Sequence, residues 1–241
     1  MGKLIAVCSG SGGVGKTTVS LALATGAARA GKRTILLDAS GAARCADLIL
    51  GLSGAVSLDM ADVASGEASM EAALYPASRY PQLSLACASL YDGGSTWELS
   101  GTLLALQSLC DVLVAELPTG QASLCDGMPG AQDVRVAVLR PSDAGVRSCE
   151  RLLSSVSPQE GETLLLLNLM QPALQKSGLF YGADAVRTLL DYPVLGEIPE
   201  DRAIALGAAR GMTAQECSGA AHAALMRATD AVLSRLDKKQ E

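Results

Sequence analysis

Gly10-Ser11-Gly12-Gly13-Val14-Gly15-Lys16-Thr17 is the stretch on which the reading of the fold turns. It fits G-x-x-x-x-G-K-[ST]. A short apolar run, Leu4 to Cys8, precedes it, and an Ala- and Leu-rich segment, Thr17 to Ala30, follows and stops at Gly31. A strand, a glycine loop and a helix in that order turn successive backbone N–H groups inward and set the positive end of a helix dipole against an anion. The loop is therefore expected to cradle phosphate, with Lys16 reaching the outer phosphates and the Thr17 hydroxyl holding Mg²⁺. A bare glycine turn before a lysine needs no such flanks.

Outward from the loop, apolar runs of strand length alternate with segments of helical spacing, the pattern of a mostly parallel sheet with helices on both faces. The expected strands are Leu4 to Cys8, Thr34 to Asp38, Leu83 to Ala86, Asp111 to Leu117, Val134 to Leu139, Thr163 to Leu169 and Val194 to Ile198. Thr213 to Leu236 carries Cys217, Ala221, Ala224, Leu225, Ala228, Val232 and Leu236 at three- and four-residue spacing, which predicts a helix closing the domain. No repeat, low-complexity tract or change of composition marks a linker, so residues 1–241 read as a single α/β domain. Asp92 to Thr96 reads as a surface loop.

Composition excludes several classes. A chain of 241 residues, 49% of them apolar, is long enough to bury a large core. Its formal charge of −6, with no basic run beyond Lys238-Lys239, argues against nucleic acid as a partner. Seven cysteines without a C-x-x-C pair or a histidine cluster read as reduced thiols rather than disulfides or zinc ligands. Cys8 is expected in the core and His222, the only histidine, on a helix surface. The apolar stretch after Met1-Gly2-Lys3 is too short for a signal peptide, and no apolar segment approaches the roughly 20 residues that cross a bilayer. A soluble, cytoplasmic protein is expected.

The run Ser9 to Thr18 resembles the deviant Walker A of the MinD/ParA family, which includes the nitrogenase iron protein and whose pattern is K-G-G-V-G-K-T-[ST]. The likeness extends along the chain. Ile35-Leu36-Leu37-Asp38, followed by Arg44 and Asp47 to Gly51, is similar to a segment carrying a magnesium-coordinating aspartate. Glu116-Leu117-Pro118-Thr119-Gly120 is placed like the family's D-[ST]-P-[AP]-G switch, and Leu195 to Arg202 looks like its G-V-I-P-E-D base segment. The resemblance implies a P-loop fold, ATP or ADP bound with Mg²⁺, and a nucleotide-dependent homodimer that releases on hydrolysis. It further implies a task such as septum placement or intracellular positioning, and an unidentified protein partner. Thr17, Asp38 and Glu116 are then the metal residues. Thr18 belongs to the loop, and Asn168, Pro199 and Asp201 to the base contacts.

The catalytic set by this resemblance is Lys16, Asp38, Ser40 and Glu116, and three positions depart from the pattern. Ser11 stands where the family has its signature lysine, and a serine supplies neither that charge nor its reach. Ser40 stands where an aspartate positions the attacking water, and a hydroxyl is a poor proton acceptor near neutral pH. Glu116 is one methylene longer than the switch aspartate. Gly10, Gly12, Gly13, Val14, Gly15, Lys16 and Thr17 keep the cradle, so binding is expected to survive better than hydrolysis. The rival reading is a nucleotide-responsive scaffold with little or no hydrolysis; a kinase or ligase would need a second substrate site, and none is visible.

Some residues have plainer readings. Asp38 and Asp201 also suit helix caps, and Asn168 a turn residue satisfying its own backbone. Arg44 is a candidate to supply, from a partner subunit, the cation that Ser11 lacks. The stretch Ala231 to Glu241 has no Phe or Trp, and its cations Arg235, Lys238 and Lys239 are offset by Asp230, Asp237 and Glu241, so no stable attachment to membrane is expected.

Overall fold

Apolar strands without alternating polar positions need cover on both faces. A computed structural model, which describes residues 1–41, 44–89, 99–126, 133–157 and 161–238, shows how this chain provides it. Its strands are β1 (Lys3–Cys8), β2 (Thr34–Asp38), β3 (Tyr75–Pro76), β4 (Leu83–Cys87), β5 (Val112–Glu116), β6 (Val134–Leu139), β7 (Glu162–Met170) and β8 (Val194–Pro199). Its helices are α1 (Lys16–Arg29), α2 (Ala46–Leu50), α3 (Met60–Ser65), α4 (Leu99–Leu109), α5 (Asp143–Leu153), α6 (Pro172–Lys176), α7 (Ala183–Leu190), α8 (Arg202–Ala209) and α9 (Ala220–Lys238).

The strands form one sheet in the order β3-β4-β2-β5-β1-β6-β7-β8, parallel throughout except where the short edge strand β3 runs against β4. Side chains alternate across it with period two. Ile5, Val7, Val134, Val136 and Leu164 join a core with α1 and α9, while Leu4, Ala6, Cys8, Leu113 and Ala137 join a second core with α4, α5 and α7. This is the α/β architecture expected from the alternation of runs, with strand ends moved by a residue or so. Strand β3 is added because two residues ending in proline carry no periodic signal.

The C-terminal segment departs from expectation at its start. A capping box between Thr213 and Glu216 closes a separate 3-10 turn, Ala214–Glu216, and Gly219 reverses the chain at φ +107° before α9 begins. Cys217 is therefore off the helix. The rest of the stripe, Ala221, Ala224, Leu225, Ala228, Val232 and Leu236, is buried. His222 lies on α9 half-buried, its Nδ1 2.8 Å from the Ala214 carbonyl oxygen, rather than free on the surface. All seven cysteines are free thiols, with Cys8 wholly buried. The expected loop Asp92 to Thr96 lies outside the described residues.

Arg135 carries a charge into the core. Arg135, on the central strand β6, is 0% exposed and donates from Nη1 to Thr163 Oγ1 at 3.1 Å and from Nη2 to Asp126 Oδ1 at 2.5 Å. Its Nε has no partner. Removing the carboxylate strands a guanidinium in a medium that cannot solvate it. Asp126→Ala is expected to lower stability by about 3 kcal/mol, measured as a shifted urea midpoint at unchanged slope; a midpoint matching the parent would contradict it.

Candidate functional site

The carboxyl ends of β1, β2 and β5 meet at one rim, and the glycine loop occupies it. Gly10 abuts α5 so closely that an added Cβ would lie 2.1 Å from the Ser148 carbonyl oxygen. Gly15, at φ +91°, starts α1, and a Cβ there would lie 2.3 Å from Asn168 Nδ2. Only glycine meets both demands without displacing backbone or side chain. The Asn168 amide donates to the Val14 carbonyl at 2.8 Å, so Asn168 braces the loop from the end of β7 instead of satisfying its own backbone. Gly12 and Gly13 are exposed at the loop's crest, Val14 is buried beneath it, and Ser11 and Thr18 are half-buried.

Lys16 is 8% exposed, and its ammonium donates to Ser9 Oγ at 3.0 Å and Thr119 Oγ1 at 2.8 Å. Burial lowers its pKa, against the opposing pull of Glu116. In the parallel register Asp38 on β2 lies opposite Glu116 on β5. Neither carboxylate is more than 1% exposed. Asp38 is fully engaged: Oδ1 accepts from Ser40 N at 3.1 Å and Ser40 Oγ at 2.5 Å, and Oδ2 from Cys45 N at 3.3 Å and Ala46 N at 3.1 Å, capping α2. Glu116 is not, because Oε1 accepts from Thr17 Oγ1 at 2.8 Å while buried Oε2 has no partner. Burial first, then the neighbouring Asp38, pushes Glu116 up to about 8.

The residues present suit Mg²⁺. Thr17, Glu116 and Asp38 offer hard oxygen donors, and the unpartnered Glu116 Oε2 is the atom that a cation would satisfy. Among the described residues no cluster of three His, Cys, Asp or Glu side chains is able to hold a metal ion.

Beside the loop lies a cavity of about 210 Å³ that brings together Gly13, Gly15, Thr18, Asn168, Pro199 and Asp201. Its walls also include Val19, Ile198, Ile204 and Leu225, which sequence reasoning missed because they read simply as core. Asp201 lines the cavity and caps α8 at once, accepting from Ala203 N at 2.8 Å. Ser9 and Thr119 were also missed as partners of Lys16; the loop's pattern gives no weight to either.

Arg44 does not fit the part of a partner-facing cation. Its side chain is 7% exposed, donating to the Ala88 carbonyl at 3.1 Å and to Asp47 Oδ2 at 3.3 Å. These partners compensate a guanidinium withdrawn from water, so leaving them is unfavourable.

A nucleotide-binding class follows from a glycine loop at the sheet's rim, a buried lysine above paired carboxylates, and an apolar cavity alongside. Residues 5–214 match the family model CobQ/CobB/MinD/ParA nucleotide binding domain, and the chain belongs to that family. The septum site-determining protein MinD of Buchnera aphidicola subsp. Baizongia pistaciae is 31% identical over 217 residues, covering 85% of this chain and 80% of that protein. A chain of the MinC:MinD cell division protein complex from Aquifex aeolicus has a TM-score of 0.78 at 25% identity, with 96% of each chain covered. The septum site-determining protein MinD complexed with Mg-ADP, from Pyrococcus horikoshii, has a TM-score of 0.81 over 96% of each chain. At 21% identity that likeness is one of fold alone.

The raised Glu116 pKa links stability to pH. An unfolded glutamate loses its proton near 4.5, whereas the folded protein keeps it up to about 8. The stabilisation of the protonated form is thus complete below 4.5 and is lost as pH rises through about 8. Thermal melts of the nucleotide-free protein are expected to show a Tm that falls between about pH 5 and about pH 8, levels off above that, and falls less in Glu116→Gln. Parallel curves for the two proteins would rule this out.

Proposed function

We propose that this protein binds ATP with Mg²⁺ and hydrolyses it slowly, switching between a monomer and an ATP-bound homodimer. Lys16, held almost out of water at the mouth of an intact glycine loop and above the Thr17–Glu116 pair, is the observation that carries this reading. Thr17 and Glu116, with Asp38 beside them, are the residues for the metal. Bound Mg²⁺ would neutralise charge on the phosphates. The apolar cavity next to Gly15 has room for a base, with Asn168, Pro199 and Asp201 on its walls. Residues 1–241 act as one nucleotide-binding unit.

Slow hydrolysis follows from the departures. Ser11 brings no cation to the phosphates, Arg44 is committed to its own chain, and the Ser40 hydroxyl is engaged by Asp38 instead of being free to aim a water. Such missing charges contribute on the order of 10³ to 10⁵ in rate where they act. Similarity to MinD proteins supports a part in septum placement, and similarity to the MinC:MinD complex supports a protein partner of that kind. Among the described residues no helix is long and apolar enough to cross a membrane. We place the protein in the cytoplasm.

Two measurements bear on this reading. Lys16→Ala is expected to weaken Mg-ATP binding about 100-fold, because a buried phosphate loses its compensating charge; equal calorimetric affinity for the two proteins would remove the central claim. Phosphate release by the wild type is expected at about 10⁻³ per second or below. A turnover near about 1 per second would mean that another cation serves the site, and no turnover at all would favour the scaffold.

A further inference from the structure

Five of the seven thiols are shut inside the protein, and only Cys45 and Cys217 reach partial exposure. Cys217 donates to the backbone carbonyls of Thr213 at 3.6 Å and Ala203 at 3.7 Å, so its surroundings are those of a structural thiol. Cys45 has a different neighbour. Its thiol donates to Thr17 Oγ1 at 3.6 Å, and that hydroxyl donates in turn to Glu116 Oε1 at 2.8 Å.

The sulfur is held in place from behind. Cys45 N and Ala46 N both donate to Asp38 Oδ2, at 3.3 Å and 3.1 Å, where α2 begins. Both Asp38 oxygens are thereby engaged, since Oδ1 accepts from Ser40. Glu116 Oε2, in a side chain 1% exposed, has no partner. A thiol, a hydroxyl and a half-used buried carboxylate therefore stand in one row.

Magnesium selects oxygen ligands, whereas zinc and cadmium accept sulfur and oxygen together. Bond lengths of about 2.3 Å to sulfur and about 2.1 Å to oxygen, at a tetrahedral angle, set the two ligand atoms about 3.6 Å apart. The separation between Cys45 Sγ and Thr17 Oγ1 is 3.6 Å.

We propose that Cys45, Thr17 and Glu116 form a site for a thiophilic divalent cation of the zinc class, overlapping the position suited to Mg²⁺. The Cys45 S–H proton leaves to solvent as the sulfur binds the ion. Two ionisable side chains and a hydroxyl supply three positions, and a water or a phosphate oxygen completes the four. Because both kinds of ion use the same hydroxyl and carboxylate, each excludes the other. The inference rests on reading Thr17 and Glu116 as metal residues.

Cadmium chloride titrated into the whole nucleotide-free chain is the probe, followed by calorimetry and by the ultraviolet charge-transfer band of a cadmium-bound thiolate. The wild type is expected to show a band that saturates with one ion. Cys45→Ser and Cys45→Asn, both good caps for α2, should lose that band and bind Cd²⁺ about 100-fold more weakly. Glu116→Gln should bind it about tenfold more weakly, and Cys217→Ser should match the wild type. A band that survives in Cys45→Ser would overturn the site. So would unchanged Cd²⁺ affinity in Glu116→Gln, since the thiol would then be binding without the carboxylate. Uptake of Cd²⁺ through Cys45 by a protein that fails to bind Mg-ATP would support this site and bring down the nucleotide reading. Binding of Mg-ATP without a Cys45-dependent band would do the reverse.

Discussion

A positive charge held almost out of water is the constraint on which the rest of this site depends. An ammonium at 8% exposure is unfavourable unless nearby groups replace its hydration. Ser9 and Thr119 do so in contact, and Glu116 and Asp38 do so through the field. The two carboxylates cannot both be ionised cheaply where burial and mutual repulsion act together, which is why Glu116 holds its proton up to about 8. A cation held there would give the unpartnered Glu116 oxygen a partner.

The sheet makes this arrangement without help from the loops. Parallel register sets Val7 and Asp38 on either side of Glu116, so that β1, β2 and β5 deliver the glycine loop and both carboxylates to one edge. Helices α1 and α9 cover one face, and α4, α5 and α7 the other. The loop is then clamped from outside, by Ser148 against Gly10 and by Asn168 against Gly15 and Val14. Rigid strands and a braced loop are what allow a short charged constellation to keep its geometry before any ligand arrives.

Particular residues show where reading the chain works and where it stops. Strand cores such as Leu4 to Cys8 and Leu164 to Leu167 are visible because parallel strands covered on both faces read as near-continuous apolar runs. The start of α9 is not, since Thr213 and Glu216 carry the signals of a helix start yet close only one turn. Arg44 looks like a spare cation until its partners Asp47 and Ala88 are seen around it. Asp38 and Asp201 each looked like a choice between cap and site residue. The structure shows Asp201 capping α8 while lining the cavity, and Asp38 capping α2 while facing Glu116.

By itself the sequence determined seven of the strands, the glycine loop set between a strand and a helix, and the family, because these depend on local spacing and on motifs read along the chain. It also showed which family residues are replaced, at Ser11, Ser40 and Glu116. Tertiary structure alone decided what those side chains face. The Ser40 hydroxyl turns back to Asp38 two residues away, while the Asn168 amide goes to the back of the loop and the Lys16 ammonium to Thr119, both contacts between separate segments. Spacing along the chain carries no record of such pairings; they arise when strand register and helix packing bring the segments within hydrogen-bonding distance and exclude the water that would otherwise compete.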